Sequence, residues 1–179
     1  MPDDNIPLDA SPSDRITEAA RRFGEREVAD RAAALLGGAN EGEEFLLWVG
    51  GVHAQGILDG APALYWPEVW GARALLKVWD DSAAPAVRDG LANQAWRVRE
   101  MCGRVVVERQ LPFVAELEPL LIDEVARVRS IAARALSVVG EYEQAVAVKA
   151  LLTDPEIEVR RAAGAALKAF SAKLDRPIE

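Results

Sequence analysis

The sequence predicts an all-α fold of about four helical hairpins stacked in series behind an N-terminal helical cap. The main observation is a nine-residue phrase that occurs three times, at residues 98–106, 128–136 and 159–167. Its starts are 30 and 31 residues apart, a period typical of arrays in which each unit packs on its neighbours. Alanine, leucine, arginine and glutamate are abundant, and these residues favour helix.

Each phrase has the spacing of an amphipathic helix. In the second copy Val128, Ile131, Ala132 and Ala135 fall on one helix face. A shorter apolar segment precedes each phrase, so one unit is predicted to be helix A, a tight turn and helix B. A short polar residue stands five positions before each leading valine, where it suits the turn and the helix N-cap: Asn93, Asp123 and Asp154.

The repeats divide the chain into segments. Residues 1–12 are predicted to be a disordered acidic tail, and residues 13–40 a helical hairpin cap broken near Gly24. Residues 41–174 are predicted to form the repeat array. Its units are expected at residues 43–79, 83–109, 112–139 and 141–173.

The first of these units is a degenerate copy. Its helix B is expected over residues 66–79 and its helix A over residues 43–58. Helix A contains Gly50, Gly51 and Gly56, which suit a helix only where another helix packs very close. The other A helices are expected over residues 83–91, 113–122 and 142–152, and the other B helices over residues 95–109, 125–139 and 155–173.

The repeated unit resembles the HEAT repeat. It has an acid or amide, then Val-Arg, and then a helix of small residues that ends in Ala-Leu. The period most resembles the short HEAT-like units of phycobilisome lyases. The resemblance covers roughly residues 43–173 and implies a right-handed α-α superhelix whose B helices line the concave face. It also implies a hydrogen-bonded ladder between neighbouring units, made by Asn93, Asp123 and Asp154 with Arg99, Arg129 and Arg160. Pro62 and Glu68 hold the equivalent places in the degenerate unit, so the ladder is expected to stop there.

The charges are segregated, although the formal net charge of the chain is −8 at pH 7. The four predicted B helices carry 13 basic and 5 acidic residues, whereas the A helices and loops are acidic. Arg97 and Arg104 lie seven residues apart and so share a helix face, an arrangement that Arg127 and Arg134 repeat. Stacking is expected to form two rows, Trp66, Arg97, Arg127 and Glu158 beside Arg73, Arg104, Arg134 and Ala165.

Rows of guanidinium groups suit carboxylate or phosphate partners, because arginine binds both through paired hydrogen bonds. The leading hypothesis is a non-enzymatic scaffold or adaptor that binds an acidic protein or peptide segment on its concave face. The candidate binding residues are Trp66, Arg73, Trp96, Arg97, Arg104, Arg127 and Arg134. In the competing interpretation, Glu100 and Glu108, four residues on either side of Arg104, use up its charge in ordinary surface ion pairs.

All five tryptophans fall between residues 48 and 96. Helical spacing favours a core position for Trp70 and Trp79, whereas Trp66 and Trp96 stand near the turn end of a B helix and are the better surface candidates. Cys102 aligns with two small positions of the later phrases, which predicts a small core residue rather than a nucleophile.

Nothing in the sequence indicates an enzyme, a cofactor or a metal site. The chain has no Walker loop, dinucleotide fingerprint or HExxH motif, and His53 is a lone histidine. No apolar run reaches ~18 residues, so no membrane partner is expected and a cytoplasmic location is the default. Two alternatives stay open. One is nucleic-acid binding, by resemblance to HEAT-like DNA glycosylases; the other is a small-ligand or chromophore lyase or chaperone with a pocket beside His53 and the tryptophans.

Overall fold

The computed structural model describes residues 5–178, and these residues are helical without any strand. The chain divides into two compact units, residues 1–90 and residues 91–179, here called the N-terminal and C-terminal units. Within residues 5–178 no helix combines the length and the apolar character that crossing a membrane requires.

The described part of the N-terminal unit, residues 5–90, contains six α-helices and one 3₁₀ helix. They are α1 (Pro12–Phe23), α2 (Glu25–Leu36), α3 (Gly42–Gly50), α4 (Val52–Leu58), α5 (Trp66–Ala74), a 3₁₀ helix (Asp81–Ala83) and α6 (Ala84–Gly90). Helix α2 packs against α1, α5 and α6, and α3 packs against α1 and α5. The hairpin of α1 and α2 turns at Gly24, whose φ of 93° suits glycine.

The predicted tail precedes α1. Residues 1–4 of the tail lie outside the described residues. Further along it, the carbonyl oxygens of Leu8 and Ala10 accept hydrogen bonds from the Arg15 guanidinium. Helix α1 begins at Pro12, and the Ser11 hydroxyl accepts a hydrogen bond from the Asp14 amide as an N-cap.

The single helix predicted over residues 43–58 is wrong, because the chain breaks into α3 and α4 at Gly51. Gly51 has φ 59° and ψ −138°, which no helix residue adopts. Gly50 does reflect close helix packing, since a Cβ there would lie 2.5 Å from the Trp70 ring. A Cβ on Gly56 would meet no heavy atom within 4 Å, so close packing does not explain that glycine.

The helix predicted over residues 66–79 is too long, because α5 ends at Ala74. Beyond it the amides of Leu75, Leu76 and Lys77 bond to carbonyls three residues back, which tightens the chain into turns. These turns bury Val78 and bring the Trp79 amide to the Glu25 carboxylate, at 3.3 Å.

The C-terminal unit has a regular alternation of short and long helices. They are α7 (Trp96–Arg109), α8 (Val114–Leu117) with a 3₁₀ helix (Glu118–Ile122), α9 (Ala126–Val139), α10 (Tyr142–Lys149) with a 3₁₀ helix (Ala150–Thr153), and α11 (Ile157–Leu174). The long helices are the predicted B helices, and the short ones are A helices that end as 3₁₀ turns. Helix α9 packs against both α7 and α11. Gly103 permits the first contact, because a Cβ on it would lie 2.9 Å from the Ile131 side chain.

Candidate functional site on helices α7 and α9

The three long helices of the C-terminal unit start from the same side-chain turn. The Oδ1 atoms of Asn93, Asp123 and Asp154 accept hydrogen bonds from the amide two residues later, at 2.8, 2.9 and 2.9 Å. Asparagine and aspartate favour this turn because their side chains reach the backbone two residues on. The repeated polar residue therefore sets the start of each long helix.

Two arginines join neighbouring hairpins through paired hydrogen bonds. Arg99 donates from Nε and Nη2 to Asp123 at 2.8 and 3.0 Å. Arg129 donates in the same way to Asp154 at 2.8 and 2.9 Å. In both pairs the side chains are largely buried, which makes this charge-assisted geometry stronger than an exposed ion pair.

The ladder arginines also hold their own turns. Nη1 of Arg99 donates to the carbonyl of Asn93, Nη1 of Arg129 to that of Asp123, and Nη1 of Arg160 to that of Asp154. Arg160 has no carboxylate within ion-pair distance among residues 5–178. These six residues therefore have structural roles, since each contact ties a turn or joins two hairpins.

The hydrogen-bond partners of Asp154 shift the pKa of its carboxylate. The hydrogen bond from Arg129 holds the pKa of Asp154 below its ordinary value, and the amide of Glu156 adds to the effect. The same hydrogen bond raises the pKa of Arg129. Both shifts favour the charged pair.

Glu100 is the centre of the exposed arginine cluster. Its Oε1 accepts from Nη2 of Arg104, one turn along α7, at 3.0 Å. The same oxygen accepts from Nε and Nη2 of Arg127 on α9, at 3.2 and 3.0 Å. Arg104 and Arg127 therefore share one buried carboxylate. The ion pair that the competing interpretation expects between Glu100 and Arg104 is present.

Trp96 gives two of these arginines an aromatic contact. The guanidinium carbon of Arg97 lies 4.3 Å from the centre of the Trp96 ring, and that of Arg127 lies 5.8 Å from it. Both distances are within the range of a cation–π interaction. Trp96 and Arg97 are half-buried and Arg127 is exposed, so the ring contacts both guanidinium groups without burying them.

Arg134 differs from the other arginines of the cluster. It is exposed on α9 at the place that corresponds to Arg104 on α7, and its guanidinium has no ion pair or hydrogen bond to residues 5–178. We use the name arginine face for Trp96, Arg97, Arg104, Arg127 and Arg134 with Glu100. With four guanidinium groups and one carboxylate, this face is strongly positive.

Trp66 and Arg73, also predicted to bind, lie on α5 in the N-terminal unit. Trp66 is half-buried between Tyr65 and Trp70, with ring centres 5.3 and 6.3 Å away. Arg73 donates from Nη2 to the Val49 carbonyl at 2.8 Å. Each residue is therefore engaged within its own unit.

The remaining aromatic residues, the cysteine and the histidine differ in burial. Trp70 is buried, as its spacing predicts, but Trp79 is only half-buried and donates from its indole to Asp81 at 2.9 Å. Cys102 is fully buried, and this burial raises the pKa of its thiol. His53 is exposed.

Two charged residues organise their surroundings without a clear signal in the sequence. Helical spacing predicts Glu100 only as a partner of Arg104, because its 27-residue separation from Arg127 is not a helical spacing. Arg15 is buried and bonds to the carbonyls of Trp48 and Val49. Its nearest sequence signal is an arginine on the apolar side of an amphipathic helix, next to Ile16.

A scan of the chain against protein-family models finds no match. A search of curated proteins finds no match either.

Proposed function

We propose that the chain is a HEAT-like helical solenoid that acts as a non-enzymatic scaffold and binds an acidic protein or peptide segment on the arginine face of α7 and α9. The observation that carries the proposal is the cluster itself, four guanidinium groups on adjacent helices. Three of them contact Trp96 or Glu100, and the fourth, that of Arg134, is exposed on α9. Tryptophan and arginine are the residues most enriched at the centres of protein interfaces.

The repeated ladder supports the solenoid part of the proposal. The bonds from Arg99 to Asp123 and from Arg129 to Asp154 join successive hairpins in one repeated geometry. Repetition of one interface between neighbours is the general property of helical repeat arrays, which present long preformed surfaces.

Glu100 does not exhaust the arginines. A guanidinium group has five N–H donors. Within residues 5–178, Arg104 donates hydrogen bonds from one nitrogen, Nη2, and Arg127 donates none from Nη1. Their side chains stay 44% and 53% exposed. Glu100 therefore fixes the two guanidinium groups in place, which lowers the entropy that binding a partner carboxylate would cost.

The acidic partner is favoured over nucleic acid by the rest of the chain. The net charge of −8 repels a phosphate backbone at long range, whereas a short acidic segment needs only local contacts. Trp66 and Arg73 are not required for this proposal, since both are engaged in the N-terminal unit.

The test is fluorescence anisotropy at low salt with a labelled decapeptide of glutamate and alanine. Arg134→Glu is compared with Lys149→Glu, an exposed lysine on α10 with no ion pair to residues 5–178. Both variants change the charge equally. Arg134→Glu is expected to weaken binding about fivefold or more, since it removes an exposed ion pair of up to about 1 kcal/mol and also adds repulsion between the new carboxylate and the peptide. Lys149→Glu is expected to change binding little.

Equal losses in both variants would mean that net charge alone attracts the peptide, and the proposed face would be rejected. A labelled duplex DNA is titrated in parallel. DNA binding tighter than peptide binding, with the same loss in Arg134→Glu, would replace the peptide by nucleic acid as the partner.

A further inference from the structure

A second positively charged region lies in the N-terminal unit, where a cavity of about 270 Å³ opens beside α1 and α5. Its walls are mainly apolar and include Ile16, Trp70 and Leu76. Its polar lining consists of Ser13, Arg73 and Lys77. The volume equals that of about nine water molecules at ~30 Å³ each, which suits a small organic molecule.

Two arginines bring positive charge to this region. Arg15 is buried and donates to four carbonyl oxygens, those of Trp48, Val49, Leu8 and Ala10. Arg73 donates to the Val49 carbonyl as well, at 2.8 Å. One carbonyl at the end of α3 therefore accepts from both guanidinium groups.

These charges have no counter-ion in the part of the chain that the structure describes. Among residues 5–178 no carboxylate lies within ion-pair distance of Arg15, Arg73 or Lys77. The nearest acid in the sequence, Asp14, accepts a hydrogen bond from the Ser11 hydroxyl at 2.7 Å and does not line the cavity. Carbonyl dipoles offset a buried guanidinium only in part, because buried charges ordinarily need a charged partner.

The pKa of Arg73 reflects this excess of positive charge. Burial lowers the pKa of Arg73, and repulsion from the nearby Arg15 lowers it further. An anion in the cavity would oppose both effects. Nε and Nη1 of Arg73 make no hydrogen bond within residues 5–178, so they are left to donate to such an anion.

From this combination we propose that the cavity binds a small monocarboxylate with a short apolar chain, its carboxylate between Arg73 and Lys77 and its chain along Trp70 and Leu76. A planar guanidinium matches a carboxylate in shape, and the apolar walls suit a hydrocarbon chain. The mainly apolar lining favours a single charge, because a more highly charged anion would need further donors. This site is separate in residues and in ligand from the arginine face.

Isothermal titration calorimetry of the full chain tests the proposal with three probes, hexanoate, hexanol and inorganic phosphate. Hexanoate is expected to bind, and the other two to bind at least about tenfold more weakly, because each lacks the charge or the chain. Saturable binding of hexanol or phosphate as tight as that of hexanoate would overturn the assignment, as would the absence of hexanoate binding up to roughly 20 mM.

Substitutions of the two cationic lining residues test whether hexanoate binds in this cavity. Lys77→Gln and Arg73→Gln are each expected to weaken hexanoate binding about threefold to tenfold, and Lys149→Gln, in the other unit, to leave it unchanged. Lys77 is exposed and makes no contact whose loss would unfold the chain, so Lys77→Gln decides the question if Arg73→Gln fails to fold. Unchanged hexanoate binding in Lys77→Gln would reject the proposed site.

Discussion

Asp154→Asn is the most direct test of how the hairpins of the C-terminal unit are joined. The Asp154 carboxylate accepts from Arg129 at 2.8 and 2.9 Å and from the Glu156 amide at 2.9 Å. An asparagine keeps the bond to the Glu156 amide through Oδ1, but it places an NH₂ group opposite an Arg129 donor. One charge-assisted hydrogen bond is lost, and the guanidinium loses its ion-pair partner.

The expected cost lies between two limits. Exposed ion pairs contribute about 0–1 kcal/mol, and breaking a buried pair costs about 3–5 kcal/mol. The side chains of Arg129 and Asp154 are 13% and 6% exposed, which places this pair nearer the buried limit. We expect Asp154→Asn to lower the free energy of unfolding by about 2–3 kcal/mol, and Tm by about 4–12 °C.

Urea and thermal unfolding followed by circular dichroism measure this loss, with Glu124→Gln as the control. Glu124 is exposed, and only its backbone carbonyl contacts Arg129, so its substitution is expected to cost less than about 0.5 kcal/mol. A loss in Asp154→Asn no larger than that of the control would refute the structural role of the ladder.

The same pair predicts a pH dependence. The hydrogen bond from Arg129 holds the native pKa of Asp154 below the ordinary value of about 3.9. Its stabilisation is therefore complete above about pH 5 and is lost as the pH falls through the native pKa. The stability difference between wild type and Asp154→Asn is expected to be largest at neutral pH and to shrink in acid. A difference that stays constant down to about pH 2 would contradict this cause.

The remaining predictions concern four individual residues. In urea unfolding, Gly51→Ala is expected to destabilise the chain by about 1–3 kcal/mol, since φ is 59° and a Cβ would lie 2.6 Å from the Arg15 guanidinium. Gly56→Ala is expected to stabilise the chain by about 0.5–1 kcal/mol, since the space around its Cβ is open. Cys102 is expected to resist a thiol-reactive dye in the native chain and to react in urea, because it is fully buried and its pKa is raised; rapid native labelling would disprove this. Glu100→Gln is expected to strengthen binding of the acidic decapeptide about twofold to fivefold, since it removes the negative charge but keeps an Oε1 atom that can accept from Arg104 and Arg127. Weaker binding would contradict this expectation.

The repeated phrase predicted the long helices closely, because their patterns are local. Helices expected over residues 95–109 and 125–139 are found at Trp96–Arg109 and Ala126–Val139. Propensity, apolar spacing and the preceding turn residue all act within a few positions of one another, so the sequence alone carries enough information there.

The two helices whose bounds the sequence predicted wrongly, over residues 43–58 and 66–79, depend on contacts between residues that are distant in sequence. The break at Gly51 is accompanied by Arg15, 36 residues earlier, whose guanidinium lies where a Gly51 side chain would be. The early end of α5 depends on burying Val78 and on the Glu25 carboxylate near Trp79. Neither contact leaves a periodic signal.

The candidate site shows the same limit. Helical spacing correctly placed Arg97 and Arg104 on α7 and Arg127 and Arg134 on α9. It did not predict that Arg127 crosses to Glu100 on the neighbouring helix, because that contact depends on how α7 and α9 pack. The charges of a face can be read from sequence, but which of them pair across helices requires the packing.

The most direct test of the proposed function is an NMR titration of the isotope-labelled chain with the acidic decapeptide. If the arginine face binds the peptide, we expect saturable shifts centred on Trp96, Arg97, Arg104, Arg127 and Arg134. Shifts confined to residues 5–90, or shifts on the C-terminal unit that avoid α7 and α9, would contradict it.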